Sequence, residues 1–153
     1  MPKPFTKRQV AVGNVVIKYM TKLNIWVQRK SNGRFMSTFP GGAPIGILTT
    51  TGRKTGELRD SALLYLMDGK DVVVVASKGG MPKHPEWYLN LSENPNVKFE
   101  VKGVRHDYVA RTADPAEKAR LWPDLVRMYK GYEDYQARTS RSIPVVICTP
   151  PTS

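Results

Sequence analysis

Apolar residues recur at every third or fourth position through the N-terminal segment of the chain. Over residues 8–30 valine, tyrosine, methionine, leucine and tryptophan keep this spacing, and lysine and arginine fill much of the remainder. A period of three to four residues is typical of an amphipathic helix. The sequence therefore predicts an N-terminal unit, residues 1–34, built on a basic amphipathic helix. A loop rich in Gly, Ser and Pro is expected over residues 31–44.

From Ile45 onward the pattern becomes that of strands. Segments 45–51 and 60–69 each predict one strand, joined by a polar turn. Asp68–Gly69 is a hairpin signal and leads into the valine-rich strand of segment 71–80. A further hairpin is expected around Gly103, and segment 143–150 predicts the last strand.

Proline and capping signals predict three more helices in the second half of the chain. Segment 84–95 predicts a short helix with Pro85 in its first turn, and Asp114 caps another that begins near residue 115. Pro123 is expected to kink or divide that helix. Segment 131–139 predicts a further short helix.

The order of these elements defines the expected fold class. The first three strands follow one another too closely to leave room for the crossover helices of a parallel sheet. We therefore expect a mainly β domain with peripheral helices (α+β) over residues 35–153. Its antiparallel sheet would be closed as a barrel, with the helices packed outside it.

Composition narrows the range of functions. The chain has 153 residues and lacks an apolar run of about 18 residues, so no membrane-spanning helix is expected. The single cysteine and the lack of a secretory signal favour the cytoplasm. The net charge is +11, and ten cations precede the first acidic residue, Glu57. Nucleic acid, an anionic membrane and a polyanionic small molecule are all compatible with this charge.

The polar turn, TTTGRKTGELR (49–59), concentrates the candidate anion-binding residues. Gly52 and Gly56 are expected to adopt positive φ and to let backbone amides approach a ligand. Arg53 offers a planar fork, Lys54 a point charge, and Arg59 lies at the start of the next strand. The spacing excludes a Walker A loop, and a solvated hairpin turn is the alternative.

Two more stretches carry candidate chemistry. ASKGG (76–80) ends a strand in a loop that can present amides to a ring or an anion, or can be an ordinary strand exit. Tyr129, Tyr132 and Tyr135 are spaced by three and are expected on one helix face, where they line a pocket or pack on the barrel. The two histidines and one cysteine have no metal-ligand spacing. An enzyme with so little chemistry of its own would need an organic cofactor.

The motifs occur in an order that resembles the deazaflavin-dependent nitroreductase family. TTTGRKTGELR, VVASKGG, HPEWYLNL, LWPDLV, MYKGYEDYQ and RSIPVV carry the resemblance, from about Ile45 to Pro150. It is closest to the branch that activates nitroimidazole prodrugs. The resemblance implies a split β-barrel related to flavin-mononucleotide-binding oxidoreductases. It also implies the coenzyme F-420, an 8-hydroxy-5-deazaflavin whose anionic tail would account for the basic charge.

The resemblance also implies roles for individual residues at the cofactor. Arg53, Lys54 and Arg59 match ligands of the phosphate and tail. Ala76, Ser77 and Lys78 match a segment whose backbone contacts the deazaflavin ring, and Trp87 matches an aromatic residue beside the cofactor. The positions that line the acceptor pocket match Tyr129, Tyr132, Tyr135 and Ser77.

The implied reaction is hydride transfer from the reduced coenzyme to an electron-poor acceptor, a quinone or a nitroaromatic compound. Tyr132 is the expected donor to the charge that develops on the acceptor, as a phenol of ordinary pKa, and Ser77 is the second choice. Leu64 stands where prodrug-activating relatives have a tyrosine, with Tyr65 one place later, so the resemblance supports cofactor binding more strongly than nitroimidazole activation. Relatives also differ in acceptor, and quinone reduction is the expected activity.

Alternatives remain for the cofactor and for the partner of the basic helix. A reductase that uses flavin mononucleotide fits the same fold, and a nucleic-acid-binding module fits the charge but not the tyrosines. The N-terminal helix can lie on the anionic inner face of the cell membrane, where a quinone would be met, or can pack on the barrel.

Overall fold

The computed structural model describes residues 3–31 and 42–151. The helices are α1 (Lys7–Lys30), α2 (Glu86–Glu93), α3 (Pro115–Met128) and α4 (Gly131–Arg138). The strands are β1 (Ile45–Thr51), β2 (Leu58–Leu64), β3 (Leu66–Asp68), β4 (Asp71–Val75), β5 (Asn96–Val101), β6 (Val104–Thr112) and β7 (Val145–Thr149). Most of the loop predicted at 31–44, and the predicted boundary between units 1–34 and 35–153, lie outside the described residues, so this division stays a prediction.

The seven strands form one antiparallel sheet in the order β2-β1-β5-β6-β7-β4-β3. The strands at the two ends of this order, β2 and β3, are consecutive in the chain and separated only by Tyr65. The chain thus joins the two edges of the sheet and closes it as a barrel. The predicted fold class, a split β-barrel with peripheral helices, is confirmed.

One predicted strand is interrupted at the point of closure. Segment 60–69 was expected to form a single strand, whereas the structure divides it into β2 and β3 at Tyr65. β2 pairs with β1, and β3 pairs with β4, so the chain has to leave one ladder before it joins the other. The Tyr65 amide donates to the carbonyl of Pro44 instead, and its ring packs edge-on against Phe99, 5.2 Å between centroids.

Both faces of β4 are buried, which explains its unbroken run of valines. Val72 and Val74 point into the barrel core, whereas Val73 and Val75 belong to a second cluster shared with the helices α3 and α4. A strand covered on both faces needs apolar residues at every position rather than at alternate ones. The second cluster fixes the helical layer over the part of the barrel where β4 ends.

The helix α3 runs through its proline without interruption. Its N-terminus is a capping box, in which the Asp114 side chain accepts from the Glu117 amide and the Glu117 side chain accepts from the Asp114 amide. Pro123 removes one backbone donor, but it lies on the exposed side, where water can bind the freed carbonyl. The prediction that Pro123 divides the helix is therefore wrong.

The apolar stripe of α1 faces away from the barrel. Its side chains Val12, Val15, Val16, Tyr19, Met20, Leu23 and Trp26 are 48 to 66% exposed. The buried residues of this helix are polar, Asn24 and Gln28. Arg29 joins α1 to β2 through an ion pair with Asp60, 2.9 Å from Nη1 to Oδ2. Within residues 3–31 and 42–151, no helix has the length and apolar character needed to cross a membrane.

Candidate functional site

A cavity of about 750 Å³ lies between α1 and the barrel. Its walls come from five parts of the chain: the inner side of α1, the strand β2, the end of β4, the start of α2 and the tyrosine region near α4. The predicted site residues that line it are Ser77, Lys78, Trp87, Tyr129, Tyr132 and Tyr135. The structure thus brings together residues that are more than fifty positions apart in the sequence.

The other predicted residues lie beside the cavity rather than in its wall. Ala76 is completely buried next to Ser77. Arg53, Lys54 and Arg59 belong to the turn between β1 and β2. Arg53 is linked to the cavity wall through its ion pair with Glu86, which lines the cavity.

The two glycines of this turn have different roles. Gly56 has a φ of +75°, as predicted, and this left-handed backbone favours glycine. The prediction of a positive φ at Gly52 is wrong. Space is tight at Gly52, since a Cβ atom there would lie 3.1 Å from the carbonyl oxygen of Glu57. Its amide donates to the same carbonyl over 2.7 Å, and this bond closes the turn.

The side chain of Arg53 is held in a fixed orientation by α2. Its Nη1 donates to Oδ1 of the buried Asn90 over 2.9 Å, and its Nη2 donates to Oε2 of Glu86 over 2.8 Å. The bond from Arg53 is the main cause that lowers the pKa of the Glu86 carboxyl. Lys54 is exposed, and Arg59 forms an exposed pair with Glu57, 3.2 Å apart. The turn thus presents one oriented and two solvated cations.

The loop after β4 has a strained and closely packed backbone. Lys78 has a φ of +46°, which costs about 1–3 kcal/mol for a residue with a side chain. Gly80, at φ +77°, approaches α4 so closely that a Cβ atom would lie 2.7 Å from the carbonyl oxygen of Tyr135. The glycine therefore lets the loop pack directly against the helix that carries two of the three tyrosines.

Arg141 lies in the segment between α4 and β7, and its side chain binds the loop that follows β4. Its guanidinium donates to the carbonyl oxygens of Ala76 (3.2 Å), Ser77 (2.7 Å) and Met81 (2.9 Å). Its Nη1 also lies 3.1 Å from Nδ1 of His84. Burial, and then the charge of Arg141, lower the pKa of His84, which keeps this imidazole neutral and able to accept.

The three tyrosines form one cluster, but the prediction that they lie on one helix is wrong. Tyr129 follows the last residue of α3, whereas Tyr132 and Tyr135 are in α4. The ring centroids of Tyr129 and Tyr132 are 5.0 Å apart, and those of Tyr129 and Tyr135 are 5.8 Å apart. The hydroxyls of Tyr129 and Tyr135 share a hydrogen bond of 2.6 Å. The break between the helices lets Tyr129 fold back over α4.

Burial changes the acid–base properties of these phenols. Tyr132 is 4% exposed, and its burial, followed by the neighbouring Tyr129 and Tyr135, raises its pKa far above the ordinary value near 10. Burial also raises the pKa of Tyr135. The expectation of an ordinary pKa at Tyr132 is therefore wrong. Tyr132 is a neutral phenol, suited to donating a hydrogen bond rather than to releasing a proton.

Comparison with known protein families shows which family carries this arrangement of residues. The family model described as F420H(2)-dependent quinone reductase matches residues 20–150. The chain belongs to the F420H(2)-dependent quinone reductase family. The match includes the turn, the loop after β4 and all three tyrosines.

Individual members of this family and a structural neighbour agree with the assignment. The F420H(2)-dependent quinone reductase Rv1261c of Mycobacterium tuberculosis is 41% identical over 133 residues, 85% of this chain and 89% of its own. A solved F420-H2 dependent reductase (FDR-A) is 40% identical, with a TM-score of 0.64 over 69% of this chain and 93% of its own. A putative pyridoxamine 5'-phosphate oxidase from Listeria innocua is 17% identical, with a TM-score of 0.52 over 71% of this chain and 84% of its own, and shows the fold alone.

Membership in this quinone reductase family confirms several predictions. The chain is an oxidoreductase, its cofactor is coenzyme F-420, and the reaction is hydride transfer from the reduced coenzyme to a quinone. The nitroimidazole-activating branch and a nitroaromatic acceptor stay predictions. In the described part of the chain, no group of three His, Cys, Asp or Glu side chains could hold a metal ion.

The residues of this quinone reductase fit a deazaflavin with an anionic tail. Its cavity falls within the range of roughly 300–1,000 Å³ of small-molecule sites. Leu63, Leu64 and Trp87 supply apolar surface suited to a planar ring. Lys18, Lys22 and Lys78 also line it, against the acidic Asp60 and Glu86, and the cations of the β1–β2 turn stand beside it.

Sequence reasoning missed three components of the site. The inner side of α1, including Asn14, forms one wall, although the sequence signal on that helix is its opposite, apolar face. Glu86 lies within a quoted motif, but nothing in its spacing marks it as the partner of Arg53. Arg141 also lies within a quoted motif, and its contacts span more than fifty residues, so no local pattern indicates them.

Proposed function

We propose that the cavity between α1 and the barrel holds the deazaflavin ring, and that Arg53, Lys54 and Arg59 hold its phosphate and acidic tail. Ser77, Lys78 and Trp87, which line the cavity, would contact the ring. The observation that carries this proposal is the position of Arg53: its guanidinium is oriented by Asn90 and lies one side chain away from the cavity wall. An oriented guanidinium is well suited to a phosphate.

The bound coenzyme supplies the hydride, and the protein's part is to orient the acceptor, exclude water and stabilise charge. We assign the stabilising hydrogen bond to the Tyr132 hydroxyl, with the Ser77 hydroxyl second. Among the described residues, the Tyr132 hydroxyl has no hydrogen-bond partner, whereas those of Tyr129 and Tyr135 are bonded to each other. A buried phenol with a free hydroxyl in a cavity wall is available to a quinone oxygen.

The same wall bears on the choice of acceptor. Leu64 lines the cavity, whereas Tyr65 is turned into the barrel core against Phe99. Tyr65 therefore does not replace the tyrosine that prodrug-activating relatives have at the position of Leu64. We expect quinones to be reduced faster than nitroimidazoles.

Cofactor titrations test this proposal. Quenching of coenzyme fluorescence should give a dissociation constant at least about 30-fold higher for Arg53→Ala with Lys54→Ala, since charge-assisted hydrogen bonds contribute about 2 kcal/mol. The matched control is Lys70→Ala with Arg127→Ala, which removes two cations that do not line the cavity and should bind as the wild type does. Equal affinity in both double variants would refute the assignment, and preference for flavin mononucleotide would indicate the alternative cofactor.

We further propose that α1 rests on the anionic inner face of the cytoplasmic membrane. Its exposed apolar stripe includes Tyr19, Met20, Leu23 and Trp26, and lysines on the same helix flank it. Exposed apolar surface rimmed by cations is suited to an anionic bilayer. The opposite side of α1 lines the cavity, so a helix in this position would bring the cavity close to lipid-soluble quinones.

Vesicle flotation tests the membrane proposal. Replacing Tyr19, Met20, Leu23 and Trp26 by Gln should abolish binding to vesicles that contain phosphatidylglycerol while leaving the fold intact. The control replaces Met67 and Val104, which are exposed apolar residues of the barrel, by Gln and should float like the wild type. If the α1 variant floats equally well, the membrane role is wrong; the cofactor assignment does not depend on this result.

A further inference from the structure

Among the residues that the structure describes, the guanidinium of Arg141 makes four contacts, and none of them is to a carboxylate. Three are to backbone carbonyls, those of Ala76, Ser77 and Met81, and the fourth is to Nδ1 of His84. Within the described residues, Arg141 has no salt bridge. A half-buried guanidinium bound to neutral groups alone loses hydration without the compensation of an opposite charge. An arginine at this position therefore needs an explanation other than ion pairing.

The backbone of Arg141 is itself firmly anchored. Its carbonyl accepts from Nε2 of Gln136 over 2.9 Å, and its amide donates to the hydroxyl of Thr139 over 3.3 Å. Gln136 in turn accepts from the amide of Ile143 over 3.0 Å. Arg141 thus reaches the loop from a rigid base formed by α4 and the segment that enters β7.

The contacts of Arg141 flank the strained part of the loop. Ser77 and Met81 stand on either side of Lys78, whose left-handed backbone is unfavourable. Two backbone hydrogen bonds close the short turn Lys78–Gly80: the Gly80 amide donates to the Ser77 carbonyl, and the Met81 amide donates to the Lys78 carbonyl. Both Ser77 and Lys78 line the cavity. Arg141 therefore binds the backbone on both sides of Lys78, and this backbone determines the orientation of Ser77 and Lys78 toward the cavity.

We propose that Arg141 is a positioning residue that holds the loop Ala76–Met81 in the shape that presents Ser77 and Lys78 to the cavity. It acts through those residues and does not itself line the cavity. This inference rests on the proposed contact between the loop and the deazaflavin ring. Misplacement of a contacting group by about 1 Å can cost about 10²-fold in rate, so a residue that fixes the loop should affect turnover from outside the site.

Hydrogen exchange and cofactor binding together test the inference on the full chain. In Arg141→Met without cofactor, exchange of the amides of residues 76–81 should rise at least about tenfold, whereas Arg127→Met, a surface control, should match the wild type. The dissociation constant for coenzyme F-420 should rise about tenfold and kcat should fall more than the KM for quinone changes. Arg141→Lys should recover only part of each loss, because an ammonium lacks the planar fork. Guanidinium added to Arg141→Ala below denaturing concentrations should restore part of the cofactor affinity.

The outcomes separate this inference from the proposed function. Wild-type exchange in the loop of Arg141→Met would overturn it. Faster exchange with unchanged affinity and kcat would also overturn it, because the bonds would then be structural only, while the cofactor site would stand. If Arg141→Met does not fold, Arg141→Lys decides by the same readouts. Failure of the wild type to bind the coenzyme in the cavity would instead refute the proposed function.

Discussion

The Glu86 carboxylate forms an ion pair with the guanidinium of Arg53, with Oε2 2.8 Å from Nη2. The side chain of Arg53 is 17% exposed and that of Glu86 is 73% exposed, so the arginine is mostly enclosed by protein whereas the glutamate is mostly in contact with solvent. The positive charges of Lys54 and Lys78 also act on Glu86 and contribute to lowering its pKa. The Glu86 carboxylate therefore stands in for the anion that two of these cations, Arg53 and Lys54, are proposed to bind.

The first prediction follows from this competition. Glu86→Gln removes the internal anion and should tighten binding of coenzyme F-420 about two- to fivefold, since an exposed ion pair contributes up to about 1 kcal/mol. Titration by fluorescence quenching measures the change. Glu93→Gln makes the same charge change on the same helix, away from Arg53, and should leave the affinity unaltered. Weaker binding in Glu86→Gln would mean that the carboxylate orients Arg53 rather than competing for it.

The second prediction concerns the hydroxyl of Tyr132. Tyr132→Phe should lower kcat for quinone reduction about 10²-fold, the typical loss of one donor to a developing negative charge. Tyr108→Phe, on β6 outside the cavity, is the matched control. Because burial raises the pKa of Tyr132, its phenol stays protonated above pH 10. Its titration should therefore cause no loss of wild-type kcat up to that pH. Full turnover in both Tyr132→Phe and Ser77→Ala would refute the assigned donors.

Much of the barrel was predictable because its signals are local. The hairpins at Gly69 and Gly103 and the capped start of α3 each depend on a few neighbouring residues. The break at Tyr65 was not predictable in this way. It arises because the closed sheet requires β2 and β3 to pair with different strands, and the alternation of side chains continues through the break.

The orientation of α1 shows a further limit of local patterns. An apolar stripe ordinarily faces the core, yet here Asn24 and Gln28 are buried and Trp26 is exposed. The periodicity gives the helix but not the partner of its apolar face. The same holds for Arg141, because a bond from an arginine to a distant carbonyl leaves no trace in residue spacing.

The third prediction concerns stability in acid. Hydrogen bonds from Arg111 and from the Asp114 amide lower the pKa of Glu117 to about 2, from an ordinary value of 4.5. A carboxyl with a lowered folded-state pKa stabilises the protein above pH 4.5, and this stabilisation is lost as the pH falls toward 2. Glu117→Gln should therefore lower Tm at pH 7 and flatten its decline between pH 4.5 and 2. An unchanged acid decline in thermal melts of Glu117→Gln would show that other carboxyls dominate.

The fourth prediction separates backbone conformation from packing at the loop that carries Ser77. Gly80 and Gly69 both have positive φ, +77° and +62°, but only at Gly80 would a Cβ atom meet other atoms, the backbone of Tyr135 at 2.7 and 2.9 Å. Gly69→Ala should lower the free energy of unfolding by about 1 kcal/mol, the cost of a left-handed alanine. Gly80→Ala should cost about 1–3 kcal/mol more, through overpacking.

Denaturant unfolding measures this difference, and the coenzyme affinity shows its consequence at the site. Because the loop and α4 both supply cavity residues, Gly80→Ala should also weaken coenzyme binding, whereas Gly69→Ala should not. Equal losses of stability in the two variants, with unchanged affinity, would mean that the loop yields to the added methyl group. The close packing of the loop on α4 would then not be what fixes Ser77 in the cavity wall.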